Sequence, residues 1–360
     1  MFLLQNEIDK MQGLDRDAMD KVQKHLDRLA KPKDSLGRME ELAKQIAGIM
    51  SDDKPKLKHK VIFTLAGDHG VVDEGVSAYP REVTCQMVYN FLRGGAAINV
   101  LARQAGAKVI VADMGIAGEL EPDLIKTNDK YIEFYDCRIG SGTDNFSKGP
   151  AMTPSNAVRS IKAGITLVEK EYRNGLDIAG TGDMGIGNTT SSSAIIAVMA
   201  GKAVEEVTGH GAGINDEGLL RKIGIIKQAI AVNKPNQQDP IDVLAKLGGY
   251  EIGGLAGVII GCAMKRVPVI LDGFISGAAA MLAIKLAPKA KDFIISSHCS
   301  AEPGHKYALA HMGLKPLLDL NMRLGEGTGA ALAMMLCESS LRILEEMATF
   351  SQANVSEKTG

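Results

Sequence analysis

Short apolar runs recur along this chain, and each gives way to glycine or polar residues before a segment with helical spacing. Lys60–Ala66 (KVIFTLA) runs into Gly67-Asp68-His69-Gly70, and Lys108–Asp113 (KVIVAD), Leu176–Ala179 (LDIA), Val267–Leu271 (VPVIL) and Asp292–Ser296 (DFIIS) repeat the pattern. Strands that alternate with helices specify a mainly parallel sheet, because a parallel connection needs a helix-sized crossover. The expected fold class is therefore α/β: a mainly parallel, Rossmann-like sheet with helices on both faces. Ligands of such sheets sit at the carboxyl ends of the strands, where the glycine-rich and polar loops of this chain fall.

The ends of the chain differ from the middle. Residues 1–50 are rich in charge, and Met19, Val22, Leu26 and Leu29 fall at helical spacing, which predicts two helices broken near Lys31-Pro32-Lys33. Glu82–Ala105 reads as one long helix and Gly327–Met347 as another. The expected organisation is a small helical domain from residues 1–50 and about 327–360, and a large α/β catalytic domain over about 55–326.

Composition excludes several function classes. Lys and Arg number 41 against 43 Asp and Glu, so the basic excess of a nucleic-acid binder is missing. Seven Tyr, eight Phe and no Trp leave little for stacking on bases along a strand. The five cysteines form no CxxC pair, which points away from a zinc ribbon or a redox dithiol. The longest apolar stretches, such as Gly254–Ala263 (GLAGVIIGCA), are too short to span a bilayer, and residues 1–12 lack a signal-peptide core. The expectation is a soluble cytoplasmic enzyme without nucleic-acid or membrane partners.

Three segments carry candidate chemistry. Gly180–Ser191 (GTGDMGIGNTTS) follows the LDIA strand and opens a helix, so its glycines and free amides suit an anion, or simply make a tight turn with a Thr/Ser cap. It is neither a Walker A loop nor a GxGxxG fingerprint in register, so neither ATP nor NAD is implied. In Met322–Ala331 (MRLGEGTGAA) a glutamate flanked by glycines precedes an apolar helix. Such a carboxylate is either a base with a raised pKa or a helix N-terminal acid. Ser297–His305 (SHCSAEPGH) lacks the i, i+4 histidine pair of a zincin helix, which favours a polar rim over a metal site. Gly67-Asp68-His69-Gly70 and Asp272-Gly273 are further rim candidates at strand ends, with plain turns as the alternative.

Taken in order, these segments match a known family. Gly67-Asp68-His69-Gly70 with Gly75–Pro80 (GVSAYP) and Glu82-Val83-Thr84, then GDMGIGNTT (182–190), LDGF (271–274), SHCSAEPG (297–304) and MRLGEGTGAALAM (322–334), resemble the nicotinate-nucleotide–dimethylbenzimidazole phosphoribosyltransferase family. The likeness runs from about residue 10 to 350.

The resemblance implies transfer of the 5-phosphoribosyl group of nicotinate mononucleotide to a small aromatic base, with inversion at C1′ and release of nicotinate. It makes Glu326 the general base, and Asp183 a second catalytic carboxylate that steadies the ribose cation. The family usually has glutamate at the latter position, so the Asp183 carboxyl is expected about 1 Å further from the ribose. Tyr79, Met87 and Met184 map to the base pocket, where tyrosine and methionine resemble family members with broad or phenolic base choice. Gly182, Gly185, Asn188, Thr189, Gly211, Lys222, Gly273 and Ser300 are the expected nucleotide and phosphate ligands. Lys222 matches a lysine that reaches the partner subunit's site, which implies a homodimer or a heterodimer with a paralogue. No metal and no cofactor is expected, since no pyrophosphate departs. The alternative is a catalytically weak paralogous subunit that supports an active partner.

Overall fold

The computed structural model describes residues 6, 8–127 and 129–356. In chain order the principal elements begin with α1 (Arg16–Leu26), α2 (Arg38–Met50), β1 (Lys60–Gly67), α3 (Val83–Leu92), α4 (Ala97–Ala105), β2 (Ala107–Gly115) and β3 (Ile132–Asp136). There follow α5 (Pro154–Arg173), β4 (Ile178–Met184), α6 (Asn188–Ala200), α7 (Val204–Val207), α8 (Asp216–Asn233), α9 (Pro240–Leu247) and α10 (Tyr250–Met264). The chain continues through β5 (Val269–Leu271), α11 (Phe274–Leu286), β6 (Ile294–Ser296), α12 (Pro303–Met312) and α13 (Thr328–Glu346).

Among the described residues the strands form one sheet in the order β3-β2-β1-β4-β5-β6, and every pairing is parallel. This is the doubly wound order, whose direction reverses between β1 and β4. Register across that switch point sets Leu65 beside Asp183 and Ala66 beside Met184.

Alternation along β1 divides the core into two layers. Val61, Phe63 and Leu65 face a layer that includes α5, α10 and α11. Ile62 and Ala66 face the other, where they join Val22, Leu26, Leu42 and Ile46 of α1 and α2 and Met334 and Leu341 of α13. The terminal helices thus share a buried cluster with the sheet residues Ile178, Ile270 and Ile295. The apolar run at 254–263 is the interior of α10, buried on all sides. A Cβ on Gly164 of α5 would collide with the Gly254 carbonyl, so glycine here lets two helix backbones touch.

Three local expectations are corrected. The stretch 82–105 is two helices rather than one, broken where Gly94 takes φ +76°. The glycine run is not all loop: β4 continues through Gly180, Thr181, Gly182 and Asp183 to Met184. β3 had no counterpart in the sequence reading because this edge strand, mostly half-buried, carries polar residues within IEFYD. No described helix is long and apolar enough to cross a membrane.

Candidate active site

A cavity of about 280 Å³ opens at the carboxyl end of β4, beside the switch point. Of the expected residues, Tyr79, Asp183, Met184, Gly185, Asn188, Thr189, Gly211, Gly273 and Ser300 line it. His298 and Glu302 line it too, as the polar-rim reading of 297–305 expected. Arg323, Leu324, Ile186 and Phe274 are among the further lining residues and were not singled out, although each lies within or next to a motif. A larger cleft of about 430 Å³, lined by Lys21, His25 and Glu345 among others, lies between α1 and α13, and none of the motifs reaches it.

Glu326 follows Leu324 and Gly325 on a turn in which Gly325 (φ +84°), Glu326 (φ +65°) and Gly327 (φ +101°) are all left-handed. Such a run is unfavourable for a glutamate and persists only where its surroundings over-determine it. Here they do. The Glu326 N–H donates to the Asp183 carbonyl (3.2 Å), and the Thr64 hydroxyl donates to the Glu326 carbonyl (2.9 Å). Asp272 caps the helix that follows: its Oδ2 accepts the Gly327 N–H (3.1 Å), and its Oδ1 accepts those of Gly329 (2.7 Å) and Ala330 (3.3 Å). Gly182 belongs to this arrangement as well, since a Cβ there would collide with the Glu326 carbonyl. The Glu326 carboxyl is buried, and Oε2 accepts the Ile98 N–H in the first turn of α4 (3.2 Å). Burial raises its pKa above the usual glutamate range, with the Ile98 bond opposing.

Asp183 lies one residue before the end of β4, and its Oδ2 accepts from Asn188 Nδ2 (2.9 Å) while Oδ1 has no partner among the described residues. Its carboxyl pKa is pushed well above the usual range, first by burial and then by the Asp272 and Glu251 carboxylates. Asp272, also buried, is pushed up to about 7 by desolvation, against the three amides that it accepts. Acids gathered this closely cannot all ionise without a cation among them.

Arg323 lines the cavity, and a second cation, Lys222, is completely buried on α8 behind its Thr189–Gly211 wall. Its ammonium donates to Thr189 Oγ1 (2.8 Å) and the Gly209 carbonyl (3.3 Å), both neutral acceptors. Burial lowers its pKa to about 8, with Glu302 opposing. The Lys222 side chain packs within its own chain against Thr189 and Gly211 of the cavity wall. A buried ammonium beside the start of α6 makes this end of the cavity suited to an anion.

Histidines set the adjoining wall. His305 Nδ1 accepts the Ser300 N–H (2.9 Å), and burial pushes its pKa down to about 3, so it serves as a neutral acceptor that holds Ser300. The Ser297 hydroxyl donates to the Asp272 carbonyl (2.7 Å) and pairs with His298 Nδ1 at 3.1 Å. That hydroxyl's proton is therefore committed, Nδ1 of His298 must be the donor, and Nε2 is left as an acceptor at the cavity.

Part of the lining is exposed and apolar. Tyr79 is 51% exposed and Leu324 57%, with Met184 half-buried between β4 and the loop. Met87 is not among the lining residues; it sits half-buried on α3 against the sheet-side core. Asp68 and His69 are not rim residues either. Both are buried behind the loop, His69 Nε2 paired with Glu251 Oε1 at 2.6 Å.

A doubly wound sheet whose switch-point cavity pairs an anion-suited end with a raised carboxyl defines an α/β enzyme acting on a small charged substrate. Residues 11–355 match the family model described as phosphoribosyltransferase, and the chain belongs to that family. It is 53% identical to a nicotinate-nucleotide–dimethylbenzimidazole phosphoribosyltransferase of Desulforamulus reducens over 99% of this chain and 100% of that protein. A protein of the same name from Dehalococcoides mccartyi is 52% identical over 99% of each chain. The crystal structure of CobT from Thermus thermophilus superposes with a TM-score of 0.89 at 42% identity, covering 95% of this chain and 100% of that one.

Proposed function

We propose that this phosphoribosyltransferase moves the 5-phosphoribosyl group of nicotinate mononucleotide to an aromatic lower-ligand base in cobamide biosynthesis. The observation that carries the reading is the placement of Glu326. A carboxyl with a raised pKa is fixed on a left-handed turn, one residue beyond the cavity wall whose far end holds the Lys222 ammonium. The nucleotide's phosphate lies against Lys222, Thr189 and the start of α6, with Gly185, Gly211, Gly273 and Ser300 allowing close approach. The base enters between Tyr79, Met184 and Leu324.

In the reaction the C1′–N bond of the pyridinium breaks and its electron pair stays on nicotinate, so no acid has to protonate the leaving group. The incoming nitrogen or oxygen donates a pair to C1′ from the opposite face, and its proton passes to Glu326. The product is an α-riboside 5′-phosphate. Asp183 favours its neutral form in the free protein; the positive charge on the pyridinium ring and the developing ribose cation lets it ionise and steady the ribose.

The open end presents one phenolic hydroxyl, a deformable thioether and an exposed leucine, with few fixed polar groups to be left unpaired by a carbocyclic ring. Phenols and cresols are therefore substrates alongside benzimidazoles. The test is incubation with nicotinate mononucleotide and a panel of bases, with products identified by mass. A riboside phosphate from dimethylbenzimidazole supports the reading, and an O-riboside from phenol supports the broad pocket. A panel without any product favours the catalytically weak subunit instead.

A further inference from the structure

Asp68 follows β1 with only 2% of its surface exposed and is not among the cavity-lining residues. Its Oδ2 accepts the Ala117 N–H at 2.8 Å, and its Oδ1 accepts the Thr84 hydroxyl at 2.6 Å. Thr84 is fully buried in the first turn of α3, and its hydroxyl oxygen in turn accepts the Ile186 N–H at 3.1 Å. The Thr84 hydroxyl is thus donor and acceptor at once. Donation to a carboxylate strengthens its acceptance from the amide, and burial keeps bulk solvent from replacing either partner.

The relay joins two segments of the cavity lining. Thr84 follows the loop that carries Tyr79 to the cavity, while Ile186 lines the cavity next to Met184 and Gly185. We propose that Thr84, held by Asp68, is a positioning residue that fixes the gap between the Tyr79 wall and the Met184 wall, and so sets how tightly the incoming aromatic base is gripped. The proposal rests on reading that end of the cavity as the base site. Thr84 touches neither substrate; it acts through the loop amide of Ile186. The phosphate end is held by a different set of bonds, from Lys222 and Arg323, whose Nη1 donates to the Gly211 carbonyl at 2.6 Å.

A structural role alone would lower the melting temperature and the active fraction without separating the two substrates. The experiment compares Thr84→Val, which keeps the shape and deletes both bonds, with Thr84→Ser, which keeps both. KM for dimethylbenzimidazole and the dissociation constant of nicotinate mononucleotide are measured for each. The expected result is a rise in base KM of about tenfold in Thr84→Val, the worth of a buried hydrogen bond. The nucleotide constant should stay within about twofold, and Thr84→Ser should return the base KM toward the starting value. Should Thr84→Val fail to fold, Asp68→Asn weakens the same relay while keeping its shape, and base KM alone should rise about threefold. Equal shifts for both substrates, or an unchanged base KM in an active Thr84→Val enzyme, overturn the relay alone. If the unsubstituted protein turns over no base, the reading of the site falls and takes the relay with it.

Discussion

The two ends of the cavity are built in opposite ways. At the anion-suited end a fully buried lysine, a helix start and a buried neutral histidine are set among backbone amides and small residues, and hydrogen bonds hold Lys222 and the Nδ1 side of His305. At the other end Tyr79 and Leu324 stand more than half exposed, and a half-buried methionine faces them. A phosphate has one shape and one charge pattern, so its site gains from rigidity, whereas rings of different outline are better served by adaptable apolar contact. Glu326 stands where the two designs meet. If the proposed function holds, the contrast means that the transferred group is recognised by fixed geometry and the acceptor by a surface that can yield.

Substitution at the junction should ignore the contrast and produce the largest effect. Glu326→Gln is expected to reduce kcat by about 10²–10⁴-fold with every base, with nucleotide binding retained. The unsubstituted enzyme should lose kcat as the pH falls through a value above the ordinary glutamate pKa of about 4.3, because burial favours the protonated, inactive carboxyl. A kcat that is flat to pH 4 would show that this carboxyl is not the base.

Gly182→Ala tests whether the rigid half positions Glu326. The added methyl meets the Glu326 carbonyl, and displacement of about 1 Å can cost about 10²-fold in kcat. Single-turnover rates measured on folded protein would check this.

Lys222→Ala should raise KM for the nucleotide by about 10–100-fold while leaving the ranking of bases unchanged, because phosphate contacts persist through the reaction. Lys222 is charged below a pKa of about 8 and loses its charge as pH rises through that value. The nucleotide kcat/KM of the unsubstituted enzyme should therefore fall above about pH 8, and the Lys222→Ala profile should lack that limb.

The smallest effects belong to the open end. Tyr79→Ala and Leu324→Ala should each change base KM by about three- to tenfold and reorder phenol against dimethylbenzimidazole, with nucleotide KM unmoved. A change in nucleotide KM of the same size would erase the distinction between the two ends.

The parts that are local in the chain were legible in it. Continuous apolar runs such as KVIFTLA mark buried parallel strands, and the glycine-flanked Glu326 before an apolar helix stands out as a candidate base before any contact is known. What escaped was set by partners far apart in sequence. Lys222 reads as a helix charge until α8 is packed beside Thr189, and Asp68 and His69 read as rim until Thr84, Ala117 and Glu251 enclose them. Met87 shares a helix with Thr84, yet the direction of its face, inward to the sheet-side core, depends on how α3 docks. The edge strand Ile132–Asp136 escaped because most of its residues are only half-buried and polar ones break its apolar pattern.

The central claim is a single displacement at C1′ with Glu326 taking the proton, and the anomeric configuration of the product reports on it most directly. Nicotinate mononucleotide and dimethylbenzimidazole are incubated with the enzyme and followed by proton NMR, so that the riboside and released nicotinate are counted in the same sample. The account predicts an α-riboside 5′-phosphate formed one-for-one with nicotinate. A β-riboside, or nicotinate released with free ribose 5-phosphate and no riboside, would contradict it.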